Sequence, residues 1–355
     1  MSPQQPIEPA GRRLAILTEG HTEPVRGKTA TCLLRYRPEE VVSLLDSTQV
    51  GKTAQDLLGV GGDTPVVGKL DDAPDANTLM IGIASAGGRF PDSWRPVLLQ
   101  AIRSGMDVIS GMHQFLCDDA EFARAAEQSG AKLIDVRKND EHEVANRTGL
   151  REDCLRLHTV GQDCSVGKML VAMELTIALN AAGRDAKFIA TGQTGIMVEG
   201  DGCPVDCVVA DFISGAVEKQ VLANQHREIV VVEGQGSISH PRYSAVTLGI
   251  LHGCVPHALV LCYEVGRTEV HGMPGFGLKP LDELLKTYEH MASLQGPCSV
   301  IGVAMNSRKV SAAEAEDERA RIGEQLGLPV CDVVRDGPAD LVAAVEKFRP
   351  QAVAT

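Results

Sequence analysis

The sequence predicts an α/β protein in which an N-terminal Rossmann-like domain is followed by a P-loop-containing α/β domain built on a parallel sheet. Three observations predict it. From about residue 155 onward, short runs rich in Val, Ile and Leu alternate with amphipathic stretches, the pattern of a parallel sheet covered on both faces. The same alternation runs, less sharply, through the first part of the chain. GQDCSVGKM (161–169) sets glycines and a lysine between an apolar run and a helical pattern, the context of a phosphate-binding turn. With 355 residues, two domains are expected. The break is placed in the charged stretch RKNDEHEVANRTGLRED (137–153), giving domains 1–150 and 151–355.

Taken in order, RLAILTEG (13–20) reads as a strand, and EEVVSLLD (39–46) holds apolar residues that suit a strand or a helix. TLMIGIAS (78–85) is a strand ending at a Gly-Gly turn. WRPVLLQAIRSG is a helix, MDVISGM a strand, DAEFARAAEQSG a helix and AKLIDV a strand. In the second domain LRLHTV (155–160) precedes the glycine turn, and GKMLVAMELTIALNAAG gives a helix that stops at Gly183. Then follow strand AKFIATG, a helix around 212–223, strand REIVVVEG, a helix around 244–252, and strand HALVLCY. LDELLKTYEHMA, SVIGVAMN, SAAEAEDERARIGEQLG, PVCDVV and ADLVAAVEKF complete the alternation.

Composition narrows the function classes. A net charge of -13 without a Lys/Arg cluster argues against nucleic acid as a partner. The opening MSPQQPIEPAGRR has no secretory signal pattern, and no apolar run approaches a membrane span, so a cytoplasmic protein without a membrane partner is expected. Aromatics make up only 3%, so packing rests on aliphatic residues and Gly. The ten cysteines are scattered and read as reduced, buried thiols. Cys203 and Cys207 form a CxxxC pair with no second pair or His spacing, a weak zinc signal, and no metal site is assigned.

The turn is the strongest site signal. Successive backbone N–H groups at the positive end of a helix can surround an anion, and a lysine can reach its outer oxygens. Gly161, Asp163, Cys164, Ser165, Val166, Gly167, Lys168 and Met169 are therefore the candidate cofactor-binding residues. A nucleotide-hydrolysing loop would carry Ser or Thr at the place of Met169, to hold magnesium. Two Gly-Lys-Thr triplets, at 27–29 and 51–53, lack the upstream glycine and read as loop residues. GIASAGGRF (82–90) is a glycine turn without the spacing of a nicotinamide site.

The five-residue spacing and Asp163 resemble the loop of the dethiobiotin synthetase and cobyric acid synthase branch of P-loop proteins. VVVEGQGS (230–237) is similar to that branch's strand ending in Glu-Gly, which sets Glu233 beside the phosphate site. IGVAMNS (301–307) is similar to its late strand, nominating Asn306 as the adenine reader; the alternative is a strand-ending turn residue. More broadly, LLRYRPEEVV, SWRPVLL, SGMHQFL, GQDCSVGKM, TGQTGIMVEGDGCPVDCVVADFISGAVE and VEGQGSISHP resemble the DUF1611 family along nearly the whole chain. That resemblance implies an acetyl-CoA-dependent N-acetyltransferase of D-glutamate or a related D-amino acid, with acetyl-CoA as cosubstrate. After Lys168 the family usually has one or two threonines, where Met169-Leu170-Val171 stand here.

Acetyl transfer to an amine needs a proton acceptor and donors for the oxyanion. Asp211, Glu233 and His240 are the candidate catalytic residues, with Asp206 and Glu199 in similar glycine-punctuated segments. Asp211 reads equally as a helix cap, Asp206 and Glu199 as turn residues, and His240 as a packed loop histidine. Cys164 reads as a small filler more than as a nucleophile. Arg242 and Arg267 are candidate forks for substrate carboxylates, or else surface arginines. A small amino acid is the expected partner molecule, and a homo-oligomer the expected assembly. The rival readings are an ATP-dependent ligase resembling dethiobiotin synthetase and a non-catalytic nucleotide-binding protein.

Overall fold

The computed structural model describes residues 11–24, 26–83 and 87–352, the last four of these by backbone alone. Both parts of the chain are α/β. One compact unit runs through Asn139 and includes Ile196–Cys207; the other comprises Asp140–Gly195 and the chain from Val208 onward.

The first unit contains β1 (Leu14–Leu17), α1 (Lys28–Tyr36), β2 (Val41–Leu45), α2 (Ala54–Leu58), β3 (Val66–Val67), β4 (Thr78–Ile81), α3 (Arg95–Arg103), β5 (Asp107–Ser110), α4 (Ala120–Ser129) and β6 (Leu133–Asp135). Its strands lie in the order β3-β2-β1-β4-β5-β6, and every pairing is parallel. This is the doubly wound order expected of a Rossmann-like domain. Leu79, Ile81, Leu98, Ile102, Val108 and Phe122 form its core together with Trp94, the sole tryptophan.

Two elements correct the sequence reading here. Lys28 and Thr29 of the first Gly-Lys-Thr triplet open α1, with Gly27 at its N-cap, where a loop is expected. Thr29 is fully buried, which a triplet of polar letters does not announce. In the second triplet, Thr53 caps α2 in a capping box with Asp56, so its hydroxyl satisfies a helix N–H. The ambiguous run at 39–46 is a strand because its Ser43, Leu44 and Leu45 are buried between neighbours. The end of the expected strand 78–85 and the middle of the turn at 82–90 fall on Ala84–Ala86, outside the described residues, as does the opening MSPQQPIEPA.

The second unit contains β7 (Leu155–Gly161), α5 (Lys168–Ala181), β8 (Ala186–Ile189), α6 (Gln193–Glu199), α7 (Ile213–Asn224), β9 (Ile229–Val232), α8 (Ser244–Cys254), β10 (Ala258–Glu264), α9 (Leu281–Ser293), β11 (Ser299–Asn306), α10 (Ala312–Leu326), β12 (Val330–Cys331) and α11 (Ala339–Ala352). The start of α6 clusters with the second unit and its remainder with the first. The strand order is β12-β11-β10-β7-β9-β8, again all parallel. From β7 the chain crosses toward β8, and from β10 toward β11, in opposite directions. The carboxyl ends of β7 and β10 therefore flank a topological switch point, the place where open α/β sheets present a ligand. Both strands are buried over their full length.

Central position in the sheet has a measurable consequence for His158 on β7. Its ring is 1% exposed, and Nδ1 lies 3.1 Å from Val232 O on β9. Burial depresses its pKa from 6.5 to about 4, so the folded protein holds it neutral. The unfolded chain binds the proton more readily; His158's contribution is thus fully present above pH ~6.5 and is lost as the pH falls toward ~4. At pH 5 this amounts to about 2 kcal/mol. Urea unfolding of wild type and His158→Asn at pH 5 and 7.5 checks this: the wild type should show the larger loss on acidification, and equal losses would refute it.

None of the ten cysteines is in a disulfide; Cys117, Cys164, Cys207 and Cys298 are only partly buried, against the expectation of uniformly buried thiols. Among the described residues no helix is long and apolar enough to cross a membrane.

Candidate functional site

The turn after β7 is built by backbone geometry and by one arginine. Ser165 adopts φ 57° and Gly167 φ 113°, left-handed values that wind successive peptides around a common centre. Gly167 is the N-cap of α5, so the helix's unsatisfied N–H groups begin at the turn. Arg267, in the loop following β10, donates through Nη1 to Cys164 O at 2.7 Å and through Nη2 to Ser165 O at 3.5 Å. A trans peptide points its N–H opposite its C=O. Fixing these two carbonyls toward Arg267 therefore turns the N–H groups of Ser165 and Val166 away from it, toward the side an anion would occupy.

Asp163 ties this arrangement together. Its carboxylate is fully buried; it accepts from Arg267 Nη1 at 2.9 Å, from His271 N–H at 2.7 Å and from Cys164 N–H at 2.7 Å. Arg267 also donates to Glu264, the last residue of β10, at 2.8 Å. Burial alone would raise the pKa of Glu264, but Lys309, Arg267 and Arg308 together hold it below the ordinary carboxylate value. Arg267 is thus a clasp between two strand ends, and its guanidinium is already committed to the protein.

Lys168 folds back over Gly161, where an added Cβ would lie 3.1 Å from the lysine Nζ and Cδ. Nζ donates to Asp163 O at 2.7 Å. Burial pushes the ammonium below its ordinary pKa, so a phosphate arriving beside it would favour the charged form. Tyr288 on α9 steadies the start of the loop, donating to Gly161 O at 2.8 Å while accepting from Ile238 N–H at 2.9 Å. Asn306, at the end of β11, lies 3.4 Å from Val166 O. Met169, half-buried in the first turn of α5, brings a thioether where a magnesium-binding loop brings a hydroxyl.

Glu233 follows β9 and is 5% exposed. Its carboxylate accepts from Thr191 N–H at 2.9 Å and Gly192 N–H at 3.2 Å, fixing the turn that leads into α6. Gly234 N–H donates to Thr159 Oγ1 at 3.0 Å, and that hydroxyl donates to Lys168 O at 3.2 Å, so the β9 turn and the phosphate loop are joined.

His240 is 1% exposed and lies 3.8 Å from Asp163 through Nε2, an atom with no hydrogen-bond partner among the described residues. Nδ1 accepts from Arg242 N–H at 3.1 Å, and burial holds the ring below its ordinary pKa. The neutral ring thus carries its proton on Nε2, and it has a proton to give where a base needs a lone pair. Asp163, Cys164 and His240 put donor atoms within 4.8 Å of one another. That donor set suits a divalent ion poorly, because the guanidinium of Arg267 and the ammonium of Lys168 already stand against the same carboxylate and loop.

The remaining candidates make none of the side-chain contacts just described. Asp211 is exposed on a single 3-10 turn before α7, whose N-cap is Phe212 with no side-chain cap, so the capping role is not realised. Arg242 is exposed and takes part through its backbone. Asp206 and Glu199 belong to the first unit. Sequence reading missed Glu264, His271, Tyr288, Thr159, Arg308 and Lys309; only Glu264, an acid closing an apolar run before Val-Gly-Arg, left a local signal.

Comparison with known proteins agrees with this architecture. Residues 47–139 match the family model described as "Domain of unknown function (DUF1611_N) Rossmann-like domain", and residues 143–342 match "Domain of unknown function (DUF1611_C) P-loop domain". A D-glutamate N-acetyltransferase of Tritonibacter scottomollicae is 36% identical over 320 residues, covering 90% of this chain and 93% of that protein. Another of the same name from a Pseudoalteromonas species is 36% identical over 269 residues, covering 76% and 81%. The crystal structure of a DUF1611 family protein from Anabaena variabilis superposes with a TM-score of 0.90 at 35% identity, covering 95% of this chain and all of that one.

Proposed function

The chain belongs to the DUF1611 family, and from that premise we propose that it is an acetyl-CoA-dependent N-acetyltransferase acting on a small amino acid, D-glutamate or a close relative. The observation that carries the reading is the 36% identity, over 90% of the chain, to a protein named for that activity. The loop geometry supports it in a specific way. Acetyl-CoA carries a pyrophosphate and a 3'-phosphate that must be gripped and never cleaved. Backbone N–H groups with Lys168 suffice for gripping, and Met169 in place of a hydroxyl costs nothing when no phosphoryl group is transferred. The exposed ammonium of Lys309 and the half-exposed guanidinium of Arg308 offer further cations at the neighbouring strand end. His240 Nε2–H, buried and without a hydrogen-bond partner among the described residues, is suited to donate to an anionic oxygen of the coenzyme or of the tetrahedral intermediate.

The reading is tested by following free thiol released from acetyl-CoA in the presence of D-glutamate and a metal chelator, alongside thermal shifts with acetyl-CoA, CoA, ATP and ATP with magnesium. Thiol release should survive the chelator. Lys168→Ala should weaken coenzyme binding about 100-fold, the loss of one buried charge-assisted contact. Magnesium-dependent phosphate release from ATP, with no thiol release, would replace this reading with the ligase.

A further inference from the structure

Four side chains of the first unit meet at the carboxyl ends of β5 and β6. β5 leads through Gly111 and Met112 to His113, and β6 leads to Arg137. The 3-10 turn Val205–Cys207 brings Asp206 and Cys207 to them. Cys207 Sγ lies 3.2 Å from His113 Nδ1, and His113 Nε2 lies 3.7 Å from Asp206 Oδ2.

The cluster is held from several sides. Arg137 donates to Asp206 Oδ2 through Nη2 at 2.8 Å and Nε at 3.1 Å, and through Nη1 to Gly111 O. Asn139 donates to Cys207 O at 3.1 Å. His113 N–H donates to Gly88 O at 2.8 Å, and an added Cβ on Gly88 would lie 2.2 Å from the His113 ring, so a glycine is needed beneath it. A sulfur, an imidazole facing it and a carboxylate on the imidazole's far side form the order of an activated nucleophile. Cys207 is only partly buried and the His113 side chain is 45% exposed, so a reactant can approach.

We propose that Cys207 is a nucleophile, with His113 as its base, that takes an acyl group from a coenzyme thioester and passes it to the amine; this rests on the acyl-transfer reading above. Sγ attacks the thioester carbonyl carbon while its proton passes to His113 Nδ1. The bond between that carbon and the coenzyme sulfur breaks, and His113 returns the proton to the departing sulfur, leaving an S-acyl Cys207. The amine then attacks the same carbon and loses a proton to His113. The bond to Cys207 breaks, and the proton restores the thiol. Electrons and atoms balance without an oxidant. Burial pushes the Cys207 thiol up to about 11 and holds His113 below its ordinary value, so the pair rests neutral and the proton moves during attack. Asp206 and Arg137 are positioning residues.

The test uses the full-length protein with acetyl-CoA and no amine, reading exchange of isotope-labelled CoA into acetyl-CoA and mapping acetylated peptides after an acid quench. Exchange in the wild type with the acetyl group on Cys207, abolished in Cys207→Ala and slowed about 100-fold in His113→Ala, is the expected result. Cys207→Ser, with its melting temperature recorded, guards against misfolding of the alanine variant. Wild type that acetylates D-glutamate without any exchange, or Cys207→Ala that exchanges normally, overturns the covalent route and leaves the acetyltransferase reading standing. Absence of both exchange and acetylation overturns both.

Discussion

Arg267→Met should lower the unfolding free energy by about 3–5 kcal/mol and, with the function proposed above, remove coenzyme binding with it. Methionine keeps much of the arginine's length and apolar stem, so the loss isolates the guanidinium. Glu264 retains Arg308 and Lys309, but Asp163, fully buried, would keep only two backbone N–H donors and no countercharge within its immediate contacts apart from the lysine that binds its own carbonyl. The carbonyls of Cys164 and Ser165 would lose their partner at the same time, freeing the peptide planes that direct the Ser165 and Val166 N–H groups. Denaturant unfolding of Arg267→Met, Asp163→Asn and the double variant checks this. The double variant should recover part of the loss because the uncompensated charge is gone. A single variant within about 0.5 kcal/mol of wild type would show that Arg267 is not the clasp described.

Gly234→Ala should cost about 3 kcal/mol or more and disturb the site in the same stroke. An added Cβ would sit 1.7 Å from Thr159 O and 3.0 Å from Lys168 Cδ. The lysine tip can move; the carbonyl belongs to a central strand and cannot move without distorting β7. Relief would come from shifting the β9 turn outward, which would lengthen the Gly234 N–H bond to Thr159 and displace Glu233 from the Thr191 and Gly192 N–H groups. Gly167→Ala is a useful contrast, because nothing lies within 4 Å of its added Cβ and only the left-handed backbone resists. Its cost should be near 1 kcal/mol. Equal stability of the two variants would argue against steric closure at Gly234.

Much of the molecule was legible in order along the chain. The alternation of apolar strands with amphipathic helices fixes both sheets as parallel, because a strand buried on two faces and a helix buried on one leave different periodicities. The phosphate loop was legible for the same reason: its N–H groups, its left-handed glycine and its lysine are neighbours in sequence. Helices α1 and α6 were not, since one opens on a polar triplet and the other inside a glycine-rich block, and tertiary burial overrides such weak local preference.

What sequence alone determined, then, is whatever arises from contiguous residues: the alternation, the turn after β7 and the lysine that serves it. What only the tertiary structure decided is which distant side chains share a space. Arg267 reaches Asp163 across 104 positions because parallel crossovers bring the carboxyl ends of β7 and β10 side by side, and Cys207 reaches His113 across 94 because the 3-10 turn Val205–Cys207 returns to the first unit at the end of β5. A string of letters carries periodicity and local turns, but the pairing of strand ends is set by sheet order, and so is the chemistry assembled there.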